Sequence, residues 1–130
     1  MTKETENDRV AEYRRKLACV DYSINLPDSE LEVMMAVWEA ELPVTSKKLM
    51  NELGGEKKWK AATIISFLNR LEERGYLMSY KDGKERSYIP VAERELYISS
   101  ATNRFCEKLH EGSFVGLLDA LFYEDRKSVV

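Results

Sequence analysis

Between residues 61 and 90 the hydrophobic repeat changes period, and this change limits the fold more than any other feature of the chain. From Ala61 to Arg74, the residues Ile64, Phe67, Leu68 and Leu71 fall at helical spacing, the stripe that one helix face presents to a core. Gly75 stands where helices commonly end in a left-handed residue. Tyr76–Tyr80 and Arg86–Ile89 then read as two short strands rich in aromatic and apolar residues. Asp82-Gly83 between them suits a tight turn, whose residues must tolerate positive φ.

Upstream, Leu26-Pro27-Asp28-Ser29 opens another helix. Asp28 or Ser29 can cap it, and Ser29 with Glu32 has capping-box spacing. Leu31, Met34, Met35 and Trp38 follow at i, i+3, i+4 and i+7, which assigns Trp38 to the core of a helix ending near Glu41. Pro43 and Val44 break it. Thr45 is a natural N-cap for a second helix, with Leu49 and Leu53 inward and Gly54-Gly55 as its stop. The polar stretch Glu56–Lys60 contains Trp59, which is expected to close the core beneath the third helix. Three helices followed by a hairpin with a basic tip is the order of a winged helix-turn-helix.

The flanks are less constrained. In Met1–Ser23, Val10, Tyr13 and Leu17 recur at helical spacing among charges, and a short helix and disorder stay equally open. After Pro90 a longer helix runs from about Ala92 to His110, with Tyr97, Ile98, Ala101, Phe105 and Leu109 on one side. Gly112 interrupts, and Phe114, Leu117, Leu118 and Leu121 form a second amphipathic segment. Apolar stripes with no partner in a small head predict self-association. The expected organisation is therefore α+β and mostly helical: an extension over 1–25, a winged helix-turn-helix head over 26–90, and a helical dimerisation arm over 91–130.

Charge narrows the function. The net charge of −3 argues against indiscriminate coating of nucleic acid. Its distribution is uneven. Residues 1–43 carry 5 basic and 10 acidic groups, residues 44–90 carry 10 and 6, and residues 91–130 carry 5 and 7. A basic middle between acidic flanks predicts one localised surface for a polyanion. An enzyme is disfavoured by a single histidine, His110, and by the absence of clustered carboxylates or a glycine-rich phosphate loop. Cys19 and Cys106 lie far apart and match no metal spacing, so two reduced thiols, no metal and no cofactor are expected. No apolar run approaches the roughly 18–20 residues of a membrane span. Met1–Lys16 lacks the apolar core of a signal peptide, and a cytoplasmic location without membrane insertion is expected.

In a helix-turn-helix the second helix enters the major groove while the first crosses the backbone. Here Ala62, Ile65, Ser66 and Asn69, flanked by Thr63 and Arg70, lie opposite the buried stripe of the third helix. Lys57, Lys58 and Lys60 cluster at its start, and Lys47 and Lys48 sit at the start of the second. Lys81, Lys84 and Arg86 stand on the hairpin. The expected contacts with double-stranded DNA are Thr45, Lys47, Lys60, Ala62, Thr63, Ser66, Asn69, Arg70, Lys81, Lys84 and Arg86. The competing reading is a winged-helix interaction module, or a subunit that pairs with a true repressor and weakens its DNA binding. Ala62, Ile65 and the acidic flanks lean that way.

The residues Leu31-Glu32-Val33-Met34, Val37-Trp38, Lys58-Trp59, Thr63-Ile64, Asn69-Arg70-Leu71, Arg74-Gly75-Tyr76-Leu77 and the Lys81–Tyr88 hairpin together resemble the penicillinase-repressor (BlaI/MecI/CopY) family over about residues 26 to 122. The resemblance implies a cytoplasmic homodimeric repressor on a palindromic operator. In some members a membrane sensor system triggers proteolysis in the arm before a phenylalanine, which matches Phe105. The preceding residue, often asparagine in members that respond to β-lactams, is Arg104 here. The cysteine-rich pattern of copper-responsive members is absent. Ala62 and Ile65 occupy positions that are often basic in the family, which shifts base readout toward Thr63, Ser66, thymine methyls and DNA shape. The arm is short after Phe122, so the resemblance also implies a weaker dimer or one helped by residues 1–23.

Overall fold

The computed structural model describes the backbone of residues 3–57 and 59–123, with side chains from Asn7 onward except those of 56–58. The elements run α1 (Lys3–Cys19), α2 (Asp28–Glu39), β1 (Val44–Thr45), α3 (Ser46–Lys57), α4 (Ala61–Glu73), β2 (Leu77–Asp82), β3 (Glu85–Pro90), α5 (Arg94–His110) and α6 (Phe114–Leu121). The sheet is antiparallel in the order β1-β3-β2, with Val44 opposite Tyr88 and Met78 opposite Ile89. The winged helix-turn-helix head expected from the periodicity is present.

Its core forms where the helical stripes meet one face of the hairpin. Ile64, Leu68 and Leu71 of α4 are fully buried against Val33, Met34 and Val37 of α2 and Leu49 of α3, and Leu77 and Tyr88 close the layer from the sheet. At roughly 1.5–3 kcal/mol per buried aliphatic side chain, this cluster is the main source of stability. The end of α4 is locked by a Schellman turn. Gly75 takes φ +81°, Tyr76 N–H donates to Leu71 O at 2.9 Å and Gly75 N–H to Glu72 O at 3.0 Å. Only a residue without Cβ adopts that φ cheaply.

Several local expectations are corrected. Helix α2 begins at Asp28 with Pro27 as N-cap and no side-chain cap, so the Ser29–Glu32 capping box does not form; Ser29 lies inside the first turn, past the capping position. The buried face of α2 is Glu30, Val33, Met34 and Val37, while Leu31, Met35 and Trp38 are only half-buried. Glu30, on this buried face, pairs with Arg74 at 2.8 Å. Trp38 still packs on the core, donating its indole N–H to Ala92 O at 2.9 Å. Helix α3 continues through Gly54-Gly55 to Lys57. In the hairpin Asp82 pairs with Glu85, so the two central turn residues are Gly83 and Lys84 rather than Asp82 and Gly83. A positive φ at Gly83 alone is the II′ pattern.

Tertiary packing settles the flanks. Residues 3–19 form a helix, and Val10, Tyr13 and Leu17 face Met78, Tyr80 and Ile89 on the outer side of the hairpin. Arg9 lies 4.3 Å above the Tyr80 ring, a favourable cation–π arrangement. The linker to α2 is stitched to α5, since Arg104 donates to Tyr22 O and, at 2.6 Å, to Asn25 Oδ1. Tyr97 is buried in the chain's own core, where its hydroxyl accepts from Leu26 N–H at 2.9 Å. It is therefore not offered to a partner, and Ala101 also packs toward the head. The first turns of α5 belong to the head, and only its far end projects as an arm.

Two predictions follow from the buried polar groups. Arg74→Ala leaves the Glu30 carboxylate buried without its partner and should cost about 3 kcal/mol, whereas Glu30→Met should be close to neutral; urea unfolding followed by tryptophan fluorescence compares them. Burial pushes the Tyr76 phenol from 10.0 up to about 12. Its contribution is complete below pH 10.0 and lost as pH rises toward 12, because the unfolded chain ionises first. Tyr76→Phe should flatten that part of the pH–melting curve.

Candidate nucleic-acid interface

The outward face of α4 exposes most of the residues expected there. Ala62, Ile65, Ser66, Asn69 and Arg70 are exposed and Thr63 is half-buried, because offsets of one or two residues from Ile64, Leu68 and Leu71 turn them around the helix away from the core. No acidic residue lies in the first turn, and no side chain caps it. Lys60, the N-cap residue, is exposed, and its carbonyl accepts from Thr63 N–H at 3.0 Å. A helix N-terminus left open in this way presents N–H groups and the positive end of its dipole to an anion.

The flanking cations differ in how free they are. Lys47 and Lys48 are exposed at the start of α3, and Lys81 and Lys84 are exposed on the hairpin. Arg86 is partly committed: it donates to Ser79 Oγ at 2.9 Å, and Ser79 donates in turn to Glu72 Oε1 at 2.5 Å. Thr45 is half-buried and acts as the α3 cap, its Oγ1 accepting from Lys48 N–H at 3.2 Å. Asn69 shares a shallow depression with Lys16, Glu72 and Glu73. The far end of α4 is therefore acidic where its start is not, and Asp82 and Glu85 temper the wing tip. The side chains of Lys57 and Lys58 lie outside the described residues. Trp59 packs edge-on against Phe67, with ring centroids 5.2 Å apart, and holds the entrance to α4 on the core.

Sequence reasoning missed the Glu30–Arg74 pair, the Arg104 clamp and the two-residue strand β1. The first two join residues 44 and 79 positions apart, and no local pattern marks such a partnership. Among the described residues no cluster of His, Cys, Asp or Glu could hold a metal ion, and no helix is long and apolar enough to cross a membrane.

An exposed helix face beside a basic hairpin, on a three-helix head, defines a winged helix-turn-helix protein of the nucleic-acid-binding class. The chain belongs to the penicillinase repressor family, whose model matches residues 26–128. It is 26% identical over 103 residues to the penicillinase repressor of Bacillus licheniformis, covering 79% of this chain and 80% of that one. It is 25% identical to the methicillin resistance regulatory protein MecI of Staphylococcus aureus, covering 72% and 75%. Its fold resembles the DNA-binding domain of the repressor BlaI, with TM-score 0.52 and 30% identity over 56% of this chain and 88% of that one. It also resembles monomeric Bacillus licheniformis BlaI solved in complex with the blaP half-operator, with TM-score 0.50 and 29% identity over 58% and 90%. The family is one of DNA-binding repressors, not of enzymes.

Lys84→Ala with Arg86→Ala should weaken binding to all DNA sites alike, because a cation that meets phosphate carries no sequence information. Ser66→Ala should instead change the preference among sites at nearly constant non-specific affinity. Competition binding between operator and random duplexes reads both, and the reverse pattern would mean that α4 is not the reading helix.

Proposed function

We propose that the chain is a sequence-specific transcriptional repressor that binds a palindromic operator as a homodimer in the cytoplasm. The observation that carries this reading is the first half of α4, exposed, free of acids and open at its N-terminus. Thr63, Ser66 and the small Ala62 allow close approach to base edges, and Ile65, 39% exposed, suits a thymine methyl. Lys47, Lys60, Lys81, Lys84 and the partly committed Arg86 set the register on phosphate. Thr45 serves mainly by holding the start of α3. Asn69 and Arg70 lie nearer the acidic end, where they suit the margin of the contact.

The homodimer reading rests on the arm. Phe105, Leu109, Phe114 and Leu121 are each more than half exposed, and Leu118 joins them. Such a continuous apolar surface favours self-association in water. Glu111 and Gly112, both at positive φ, turn α6 back so that its apolar face adds to the end of α5. Ile98 and Leu117, half-buried, border this surface, whereas Tyr97 and Ala101 serve the head. A two-fold pairing would present two α4 helices to two half-sites about one helical turn apart. The Arg104–Phe105 bond lies inside α5 and Arg104 holds the interdomain linker, so a role for a sensor protease at this bond draws no support from the geometry.

Binding to the chain's own promoter region should fall steeply with salt, with log K changing by roughly −0.9 per phosphate contacted for each unit of log salt. Random duplexes should bind far more weakly. Equal and feeble binding to every sequence would favour a protein-interaction module instead. Phe105→Asp should lower the sedimentation mass toward that of one chain; an unchanged mass would refute the arm as the dimer contact.

A further inference from the structure

Helix α1 does not close fully on the hairpin. Between them lies a groove of about 490 Å³, within the size range of small-molecule sites. Val10, Tyr13 and Leu17 form one wall; Met78, Ile89 and Pro90 form the other. Val10 and Leu17 remain 49% and 36% exposed although they face an apolar sheet surface. A helix serving only as a cover would gain about 25 cal/mol for each Å² of that surface it removed from water by settling down. Among the described residues, the only charged ones in the lining are Arg9 and Arg14, both cationic. Arg14 makes no ion pair with a described residue, and Arg9 is held only over the Tyr80 ring among the contacts described.

We infer that this groove is a binding site for a small amphipathic anion, with an apolar body on the order of ten carbon atoms and one carboxylate-like head. The body lies between α1 and the outer face of the hairpin, and the head pairs with the guanidinium groups of Arg9 and Arg14, whose planar donors match a carboxylate. The groove is of small-molecule size rather than long enough to seat another helix, and among the described residues the charge of its rim is of one sign. Drawing Arg9 from Tyr80 onto the ligand acts on the wing directly. Tyr80 pairs with Ser87 and adjoins Lys81, which pairs with Arg86. Occupancy therefore couples to the placement of the hairpin cations. This coupling rests on the DNA-binding reading above; the binding itself does not.

The test is a methyl-detected NMR titration of the full chain without DNA, using octanoate and, as its uncharged counterpart, octanol. Octanoate should give saturable shifts at Val10, Leu17, Met78 and Ile89, and octanol should bind about tenfold more weakly, a single charge-assisted contact's worth. Arg9→Gln with Arg14→Gln should lower octanoate affinity by a similar factor and leave octanol affinity unchanged, which also shows that α1 is still folded. Equal affinity of the two probes for the unaltered chain, or shifts confined to Phe105–Leu121, would overturn the proposal. So would groove shifts that appear on concentrating the protein alone, since a second copy would then be the occupant. Failure here leaves operator binding untouched, and failure of operator binding leaves this titration unaffected.

Discussion

Tyr76 is the point where the separate parts of the chain meet. Its N–H closes the Schellman turn at the end of α4, and its carbonyl accepts from Val91 N–H at 2.8 Å and Ala92 N–H at 3.2 Å. Its hydroxyl donates to Asp21 O at 3.1 Å, and its ring packs on those of Tyr22 and Tyr97. One buried residue thus joins α4, the exit of the wing, the linker from α1 and the root of the arm. Since every polar atom of this hub is paired, changing the angle between α4 and the hairpin would break several hydrogen bonds at once in a dry site.

That rigidity gives the interface its geometry. The hairpin is held to α4 on its inner face by Leu77 and by the Arg86–Ser79–Glu72 chain, while on its outer face Met78 and Ile89 border the groove beneath α1. A wing tied to α4 by packing and hydrogen bonds has less conformational freedom left to lose on binding. The less filled of the two faces is the outer one.

Much of the head was legible in the one-dimensional pattern. Ile64, Leu68 and Leu71 at helical spacing, Gly75 after them and a glycine-containing turn between two aromatic runs each have a local cause, and each appears where the pattern put it. The less accurate expectations involve competition between local and distant partners. The Ser29–Glu32 box is a good local cap, but α2 already starts at Asp28, and its buried face carries Glu30, whose partner Arg74 is distant in sequence. Gly54-Gly55 is a good local stop, yet α3 runs on to Lys57. Tyr97 matched the arm's apolar stripe, but its hydroxyl had a buried backbone N–H to satisfy in the head.

The sequence by itself determined that the head is three helices followed by a hairpin, which face of α4 is apolar, and where positive charge gathers, because spacing, turn chemistry and charge act over a few residues. Tertiary structure alone decided that α1 lies over the wing, that Arg104 ties the linker to α5, and that Tyr97 belongs to the head rather than the arm. Those outcomes depend on which distant surface completes a given hydrogen bond or covers a given apolar face. The choice exists only once the chain has closed on itself.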